Sequence, residues 1–261
     1  MSTLLDRARR GEPLAEVGII DIHGHLGWTG CPLPYAPPDE MVAEMDRLAI
    51  ESVVVSHTRC IYTRPDYGNE QVLAAMRAHP GRILGYVAVH PRSAEWVEAE
   101  MRRRVDQGFI GLKLHNANGF PYTDPAYEPA LGIANERHMP VLLHTWGQPE
   151  TLAQCRELAE RCPDATLLLA HSGVENEPGY VELATDAPNV MLELALSRGP
   201  RGLVQRLVES VGADRVIWGS DAFFMGQAQQ IGKVLGARIS DEDKTNLLST
   251  NARRILDRIE R

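Results

Sequence analysis

The sequence predicts a single-domain (β/α)8 barrel spanning residues 1–261, and three observations carry that prediction. Eight short aliphatic runs recur along the chain, helical patterns fill the gaps between them, and seven of the nine histidines fall at or beside the C-terminal ends of the runs. The runs are Gly18–His25, Ser52–His57, Ile83–His90, Phe109–His115, Pro140–His144, Thr166–His171, Val190–Leu194 and Val216–Asp221. Most are nearly continuously apolar, the pattern of parallel strands covered on both faces. Their ends lie 22 to 33 residues apart, which leaves room for one crossover helix each. Helix starts are marked by Pro38 ahead of Asp39-Glu40, by Ser93, by the prolines after Asp124 and Gln148, and by a capping box of Ser240 with Asp243. An open doubly wound sheet would carry a glycine-rich phosphate turn after its first strand, whereas this chain reads HGHLGW there.

Composition narrows the function classes. With 44% hydrophobic and 24% charged residues the chain reads as an ordinary globular protein. A net charge of −8 argues against a nucleic-acid partner, which would call for a basic stripe. No run reaches about 18 apolar residues, so no membrane partner is expected. Met1 to Val17 is charged and lacks an apolar stretch, so no signal peptide is expected. Cys31, Cys60, Cys155 and Cys162 form no C-x-x-C pair and read as reduced thiols. The expectation is a cytoplasmic enzyme for a small-molecule substrate, with homo-oligomerisation left open.

The chemistry gathers at the strand ends, where barrels of this kind keep their active sites. His23 and His25 form an H-x-H pair whose side chains, two apart on a strand, point to one face and can share one ion. Gly24 between them keeps the outward position small. His144 is the only polar side chain of PVLLH and would reach the same ion from across the mouth. Asp221 ends VIWGSD, next to the first strand in a closed barrel, and is expected to ligate the metal, take a proton from a metal-bound water, or both. His171 in LLLAHSG is read as a second-metal ligand or as an acid/base group. Lys113 and His115 share a face in GLKLH. A lysine pointing into a barrel must be paired, neutralised or modified. Three readings stay open for it: a carboxylated bridge between two metals, a partner for a substrate carboxylate, or a salt bridge to Glu193. His57 and His90 are divided between lining the site and supporting it, and His79 and His138 read as helix-end residues.

With H-x-H, GLKLH, VLLHTWG, AHSG and GSD in this order, the chain resembles the amidohydrolase superfamily. It looks most like the amidohydrolase-2 branch, which includes the aminocarboxymuconate-semialdehyde decarboxylase-like lyases. The resemblance runs from Gly18 to Leu256. It implies a divalent metal held by His23, His25, His144 and Asp221, with His171 beside metal and substrate. One ion per chain is expected, with a second left open through Lys113. Zinc is favoured and manganese is the alternative. Asn116 stands after His115 where relatives often have proline.

The first functional expectation is a metal-dependent hydrolase of a small amide, ester or lactone, with Asp221 and His171 as catalytic groups. The alternative is a metal-dependent, non-oxidative decarboxylase of a small carboxylic acid, which would place Arg59, Arg64, Arg198 and Arg201 around the mouth. A non-catalytic metal-binding barrel comes third. Trp28, Tyr35, Tyr62, Trp146 and Phe223-Phe224 suggest a partly apolar or cyclic substrate, with Trp28 and Tyr35 on a proline-stiffened lid.

Overall fold

The computed structural model describes residues 3–28 and 37–260. Its eight strands are β1 (Ile19–Leu26), β2 (Ile50–His57), β3 (Ile83–Ala88), β4 (Gly111–Leu114), β5 (Pro140–His144), β6 (Thr166–Ala170), β7 (Val190–Glu193) and β8 (Val216–Ile217). Neighbours in sequence are neighbours in the sheet, in the order β1 to β8, and every pair is parallel. Helices cover the outside, so the predicted barrel is the observed one. Pro38, Pro65 and Pro149 each open a helix, and Ser93 and Ser240 accept from the backbone N–H groups of Trp96 and Asp243. Asp124 caps a short 3₁₀ turn, Pro125–Tyr127, which leads into the helix Glu128–Glu136.

The strands stop earlier than their apolar runs. His90, His115, His171, Leu194 and Asp221 all lie beyond the last paired residue, on the rim. Two of them, His171 (φ 62°) and Asp221 (φ 56°), take the left-handed backbone conformation. That conformation costs a non-glycine residue about 1–2 kcal/mol and persists where its surroundings enforce it. The C-terminal segment also departs from a single helix. A π-turn at Asn246–Thr250 separates Asp241–Thr245 from Asn251–Asp257. The Leu247 carbonyl in that turn accepts from Trp218 N at 3.0 Å, which ties down the chain just after β8.

Alternation along the strands sorts the core into an outer shell under the helices and an inner plug of Ile20, Ile22, Val54, Tyr86, Leu142, Leu168, Met191 and Ile217. Strict alternation from Ile20 and Ile22 would send His23 and His25 outward. A β-bulge prevents this: Asp21 pairs with Val53 but Gly24 with Val55, so β1 spends three residues where β2 spends two. The extra residue inverts the facing, and both histidines point inward above the aliphatic plug. Gly24 then faces outward, where an added Cβ would lie 2.8 Å from Val53 Cγ2 and 3.2 Å from Val55 Cγ1.

The seam between β8 and β1 closes through the segment after β8. Asp221 N donates to His23 O (2.7 Å), His25 N donates to Ala222 O (2.5 Å), and Gly24 bridges Ala222. Beneath these bonds the fully buried Asp21 carboxylate accepts from Ser220 N (2.9 Å), Ser220 Oγ (2.5 Å), Gln227 Nε2 (2.9 Å) and His23 N (3.2 Å).

Away from the rim, Cys60, Cys155 and Cys162 are buried free thiols, while Cys31 lies outside the described residues. His79 and His138 sit at helix ends beside Asp39 (2.8 Å) and Glu260 (3.4 Å). Among the described residues no helix is long and apolar enough to cross a membrane. Gly24→Ala is expected to destabilise the fold by about 1–3 kcal/mol, because the branched valines opposite cannot swing aside. Urea unfolding measures this, and a variant as stable as the parent would contradict the packing assigned to the bulge.

Candidate active site

Three ligand-type atoms converge at the top of β1. His23 Nε2 lies 3.2 Å from His25 Nε2, and Asp221 Oδ1 lies 3.0 Å from His25 Nε2 and 3.5 Å from His23 Nε2. An ion about 2.1 Å from each ligand sets neighbouring donor atoms about 3.0–3.4 Å apart at octahedral and tetrahedral angles, so the spacing fits a divalent metal. His23, His25 and Asp221 are all buried, and they are the one group of three or more candidate ligands among the described residues.

Proton positions follow from the partners of the rings. Lys113 Nζ donates to His23 Nε2 at 3.3 Å, so that nitrogen carries a lone pair. The proton then sits on Nδ1, which donates to Glu193 Oε2 at 3.2 Å. On His25 the outer nitrogen, Nδ1, lies 3.1 Å from Ser56 Oγ. Both rings of the H-x-H pair thus turn Nε2 inward and have Nδ1 held from behind, the arrangement usual for metal-binding histidines. Burial, reinforced by the charge of Lys113, pushes His23 well below its ordinary value and keeps it neutral.

The carboxylate is tuned the other way. Burial alone would raise Asp221. The hydrogen bond with His25 and the neighbouring imidazoles of His23, His25 and His171 outweigh burial and hold the carboxyl well below the usual range. Lys113 is pushed down to about 8 by burial, although Asp221 and Glu193 pull it back up. Of the three readings open for it, the salt bridge to Glu193 does not form. Lys113 joins no ion pair within 4.0 Å among the described residues, because Glu193 is turned toward His23 and the β6 and β7 loops.

His144 stands outside the tight cluster. Its ring stacks on His115 (centroids 3.8 Å apart), and its Nδ1 lies 3.2 Å from His171 Nε2. His171 Nδ1 donates to the Ala195 carbonyl, which leaves Nε2 to accept from His144. Consequently His144 also keeps its Nε2 free of a proton. Burial, then His115, His171 and Lys113, hold His144 well below its ordinary value. His115 is pushed down to about 2, by burial first and Lys113 second.

Above this floor opens a cleft of about 750 Å³, lined by His25, His115, His144, His171 and Asp221 together with Ile61, Tyr62, Ala117, Trp146, Ser197, Phe224 and Met225. Trp146 stacks on His171 (4.8 Å between centroids, 13° between planes), and Phe224 meets His25 edge-on at 5.6 Å. Several sequence expectations for the mouth are corrected here. Arg59 is exposed and lines no part of the cleft, Arg64 pairs with Asp66 (3.3 Å), Arg198 is exposed, and Arg201 lines a separate groove. These cations are exposed to solvent, although Ile61, Tyr62 and Ser197 close by in sequence do line the cleft. The Trp28 side chain is 51% exposed and lies off the cleft, and Tyr35 falls outside the described residues.

His57 and His90 prove to be supports. His57 Nδ1 accepts from Arg59 N (3.0 Å), and His90 Nε2 donates to Cys60 O (2.5 Å). Sequence reasoning missed the parts played by Asp21, Ser56 and Glu193. A signal existed for two of them: Asp21 opens the DIHGH motif, and Glu193 is the only charged residue of VMLEL.

The comparisons agree with this geometry. The sequence matches the family described as Amidohydrolase over residues 20–258. A search of the curated proteins finds no match. Among solved structures, a 5-carboxyvanillate decarboxylase from Novosphingobium aromaticivorans, complexed with manganese, aligns with a TM-score of 0.75 at 14% identity, covering 95% of this chain and 98% of its own. A 2,6-dihydroxybenzoate decarboxylase from Rhizobium gives 0.72 at 16% identity, covering 92% and 98%. A dihydroxybenzoic acid decarboxylase from Polaromonas with bound manganese gives 0.72 at 16%, covering 92% and 97%. An eight-stranded barrel, an inward-turned His-x-His pair beside a carboxylate, and a family match across nearly the whole length lead to one conclusion: this chain belongs to the amidohydrolase family, in its amidohydrolase-2 branch.

Proposed function

We propose that the protein is a metal-dependent, non-oxidative decarboxylase of a small aromatic carboxylic acid. The observation that carries this reading is the cleft. Its floor bears His25 and Asp221, with His23 buried just beneath them, and its walls are the planar side chains of Trp146, Phe224 and Tyr62. A flat ring fits such walls through stacking and edge contacts. The decarboxylases among the structural relatives favour the same reading, which the sequence placed second to hydrolysis.

His23, His25 and Asp221 would hold the ion, and we assign His144 Nε2 as the further ligand because its Nδ1 proton is committed to His171. When bound, a divalent ion supplies Lewis-acid polarisation of substrate oxygens. Manganese fits a mixed nitrogen and oxygen ligand set as well as zinc does, and the relatives that carry manganese favour it.

The chain's own groups supply the rest. Lys113, buried behind His23, adds positive charge beneath the floor where a carboxylate would rest. Asp221 is the one carboxylic side chain among the residues lining the cleft. A substrate carboxylate brought beside it raises its proton affinity, since like charges favour the neutral form. Asp221 then takes up a proton from solvent, one proton being consumed for each carbon dioxide released, and passes it to the ring carbon. The bond from ring to carboxyl breaks, its electron pair accepts that proton, and carbon dioxide leaves. His171, clamped between Ala195 and Trp146, positions His144 and the aromatic wall.

Purified protein is expected to contain or take up about one Mn²⁺ or Zn²⁺ per chain. His25→Ala and Asp221→Asn should each weaken binding at least about 10-fold while the fold persists. Unchanged affinity in both folded variants would contradict the ligand assignment.

Manganese-loaded protein, incubated with a panel of hydroxybenzoic acids and of aryl amides, esters and lactones, is expected to release carbon dioxide from an acid. Trp146→Ala should raise KM for that acid about 10-fold, equivalent to about 1.4 kcal/mol. Turnover confined to the amides, esters or lactones would overturn the decarboxylase reading in favour of hydrolysis.

A further inference from the structure

Glu193 is fully buried at the end of β7, in an otherwise apolar strand, and the proposed chemistry leaves it without a task. Its carboxylate nonetheless accepts three hydrogen bonds. Oε2 accepts from His23 Nδ1 and from His171 N, both at 3.2 Å, and Oε1 accepts from Ala195 N at 2.6 Å. The Ala195 carbonyl in turn accepts from His171 Nδ1. One carboxylate thus touches a candidate metal ligand and the backbone of the residue that orients His144. Room for it comes from Gly219, where an added Cβ would lie 2.6 Å from both Glu193 Oε1 and His23 Cβ.

We propose that Glu193 is the positioning residue that fixes His23 in its metal-binding tautomer and, through the same carboxylate, holds His171 in the left-handed conformation that directs it to His144. This deepens the decarboxylase reading and rests on its metal site. The logic is one of donors and acceptors. A carboxylate offers only acceptors, so His23 must keep its proton on Nδ1 and leave Nε2 bare. An amide at the same place cannot serve every partner. With its oxygen on Ala195 N, its NH₂ group faces His23 Nδ1 and draws out the lone pair there, which moves the imidazole proton to Nε2. With its oxygen on His23, its NH₂ group opposes the Ala195 N–H and the β7 loop must move.

Imidazole ¹⁵N NMR of the metal-free protein reads the tautomer directly. His23 is expected to show a protonated Nδ1 and a bare Nε2, and the opposite pattern in the parent protein would overturn the proposal without any variant. Glu193→Gln is expected to populate the Nε2-protonated form and to weaken Mn²⁺ binding about 10–100-fold by calorimetric titration, with a cooperative urea transition retained. A Glu193→Gln protein with a lower urea midpoint but unaltered His23 tautomer and Mn²⁺ affinity would reduce Glu193 to a loop tie and overturn the proposal. Failure of the parent protein itself to bind Mn²⁺ or Zn²⁺ would instead overturn the metal reading, and the tautomer measurement would still decide the role of Glu193.

Discussion

Everything at the mouth of this barrel depends on one buried carboxylate, that of Asp21. β8 is only two residues long, so ladder pairing alone closes the barrel poorly. Asp21 reinforces the backbone bonds that close it by gathering Ser220 and Gln227 from the far side of the seam and the His23 amide from its own strand. Burial pushes its carboxyl up to about 6, a sign of how much the charged form loses by leaving water, while the donors around it pull the other way. Hydrogen bonds to a charged group contribute about 1.5–3 kcal/mol each, so the four donors offset much, though not all, of the desolvation penalty. The consequence is positional. With Ser220 fixed, Asp221 is carried to within 3.0 Å of His25 Nε2.

The same seam explains the electrostatics of the site. Five imidazoles, a lysine and two carboxylates crowd a small buried volume, and they coexist because their protons are allocated. Burial keeps His23 and His144 neutral, and their outer nitrogens donate away from the centre to Glu193 and His171. Neutral imidazoles with inward lone pairs, beside a carboxylate held ionised, make a site disposed toward a divalent cation. His171 and Asp221, both in left-handed conformations, are held there by backbone bonds to Glu193 and to His23 O. Strain at these positions is local and belongs to the site.

Much of this was legible in the sequence because it rests on short-range chemistry. Continuous apolar runs gave the strands, prolines and serines gave the helix starts, and histidines at strand ends marked the rim. Long-range geometry was not legible in the same way. The β1 bulge, which turns His23 and His25 inward, leaves no trace in a pattern of alternation and emerges only from the register against β2. The π-turn at Asn246–Thr250 reads as plain helix, since its purpose is to offer a carbonyl to Trp218. Arginines near the strand ends suggested a cationic mouth, yet the direction of each side chain decides whether a charge faces a cleft, and Arg59, on the short helix Arg59–Tyr62 that sends Ile61 and Tyr62 to the cleft, is exposed to water. Glu193 was visible as a lone charge in an apolar strand, but its partner proved to be His23 and not Lys113.

The central claim is that the closed seam assembles one divalent-metal site from both of its edges. A crystal grown with Mn²⁺ and measured at the manganese absorption edge tests it most directly. The account predicts one anomalous peak per chain, bounded by His23 Nε2, His25 Nε2 and an oxygen of Asp221, with His144 Nε2 turned toward it. A peak elsewhere on the barrel, or none in a crystal saturated with the ion, would contradict it.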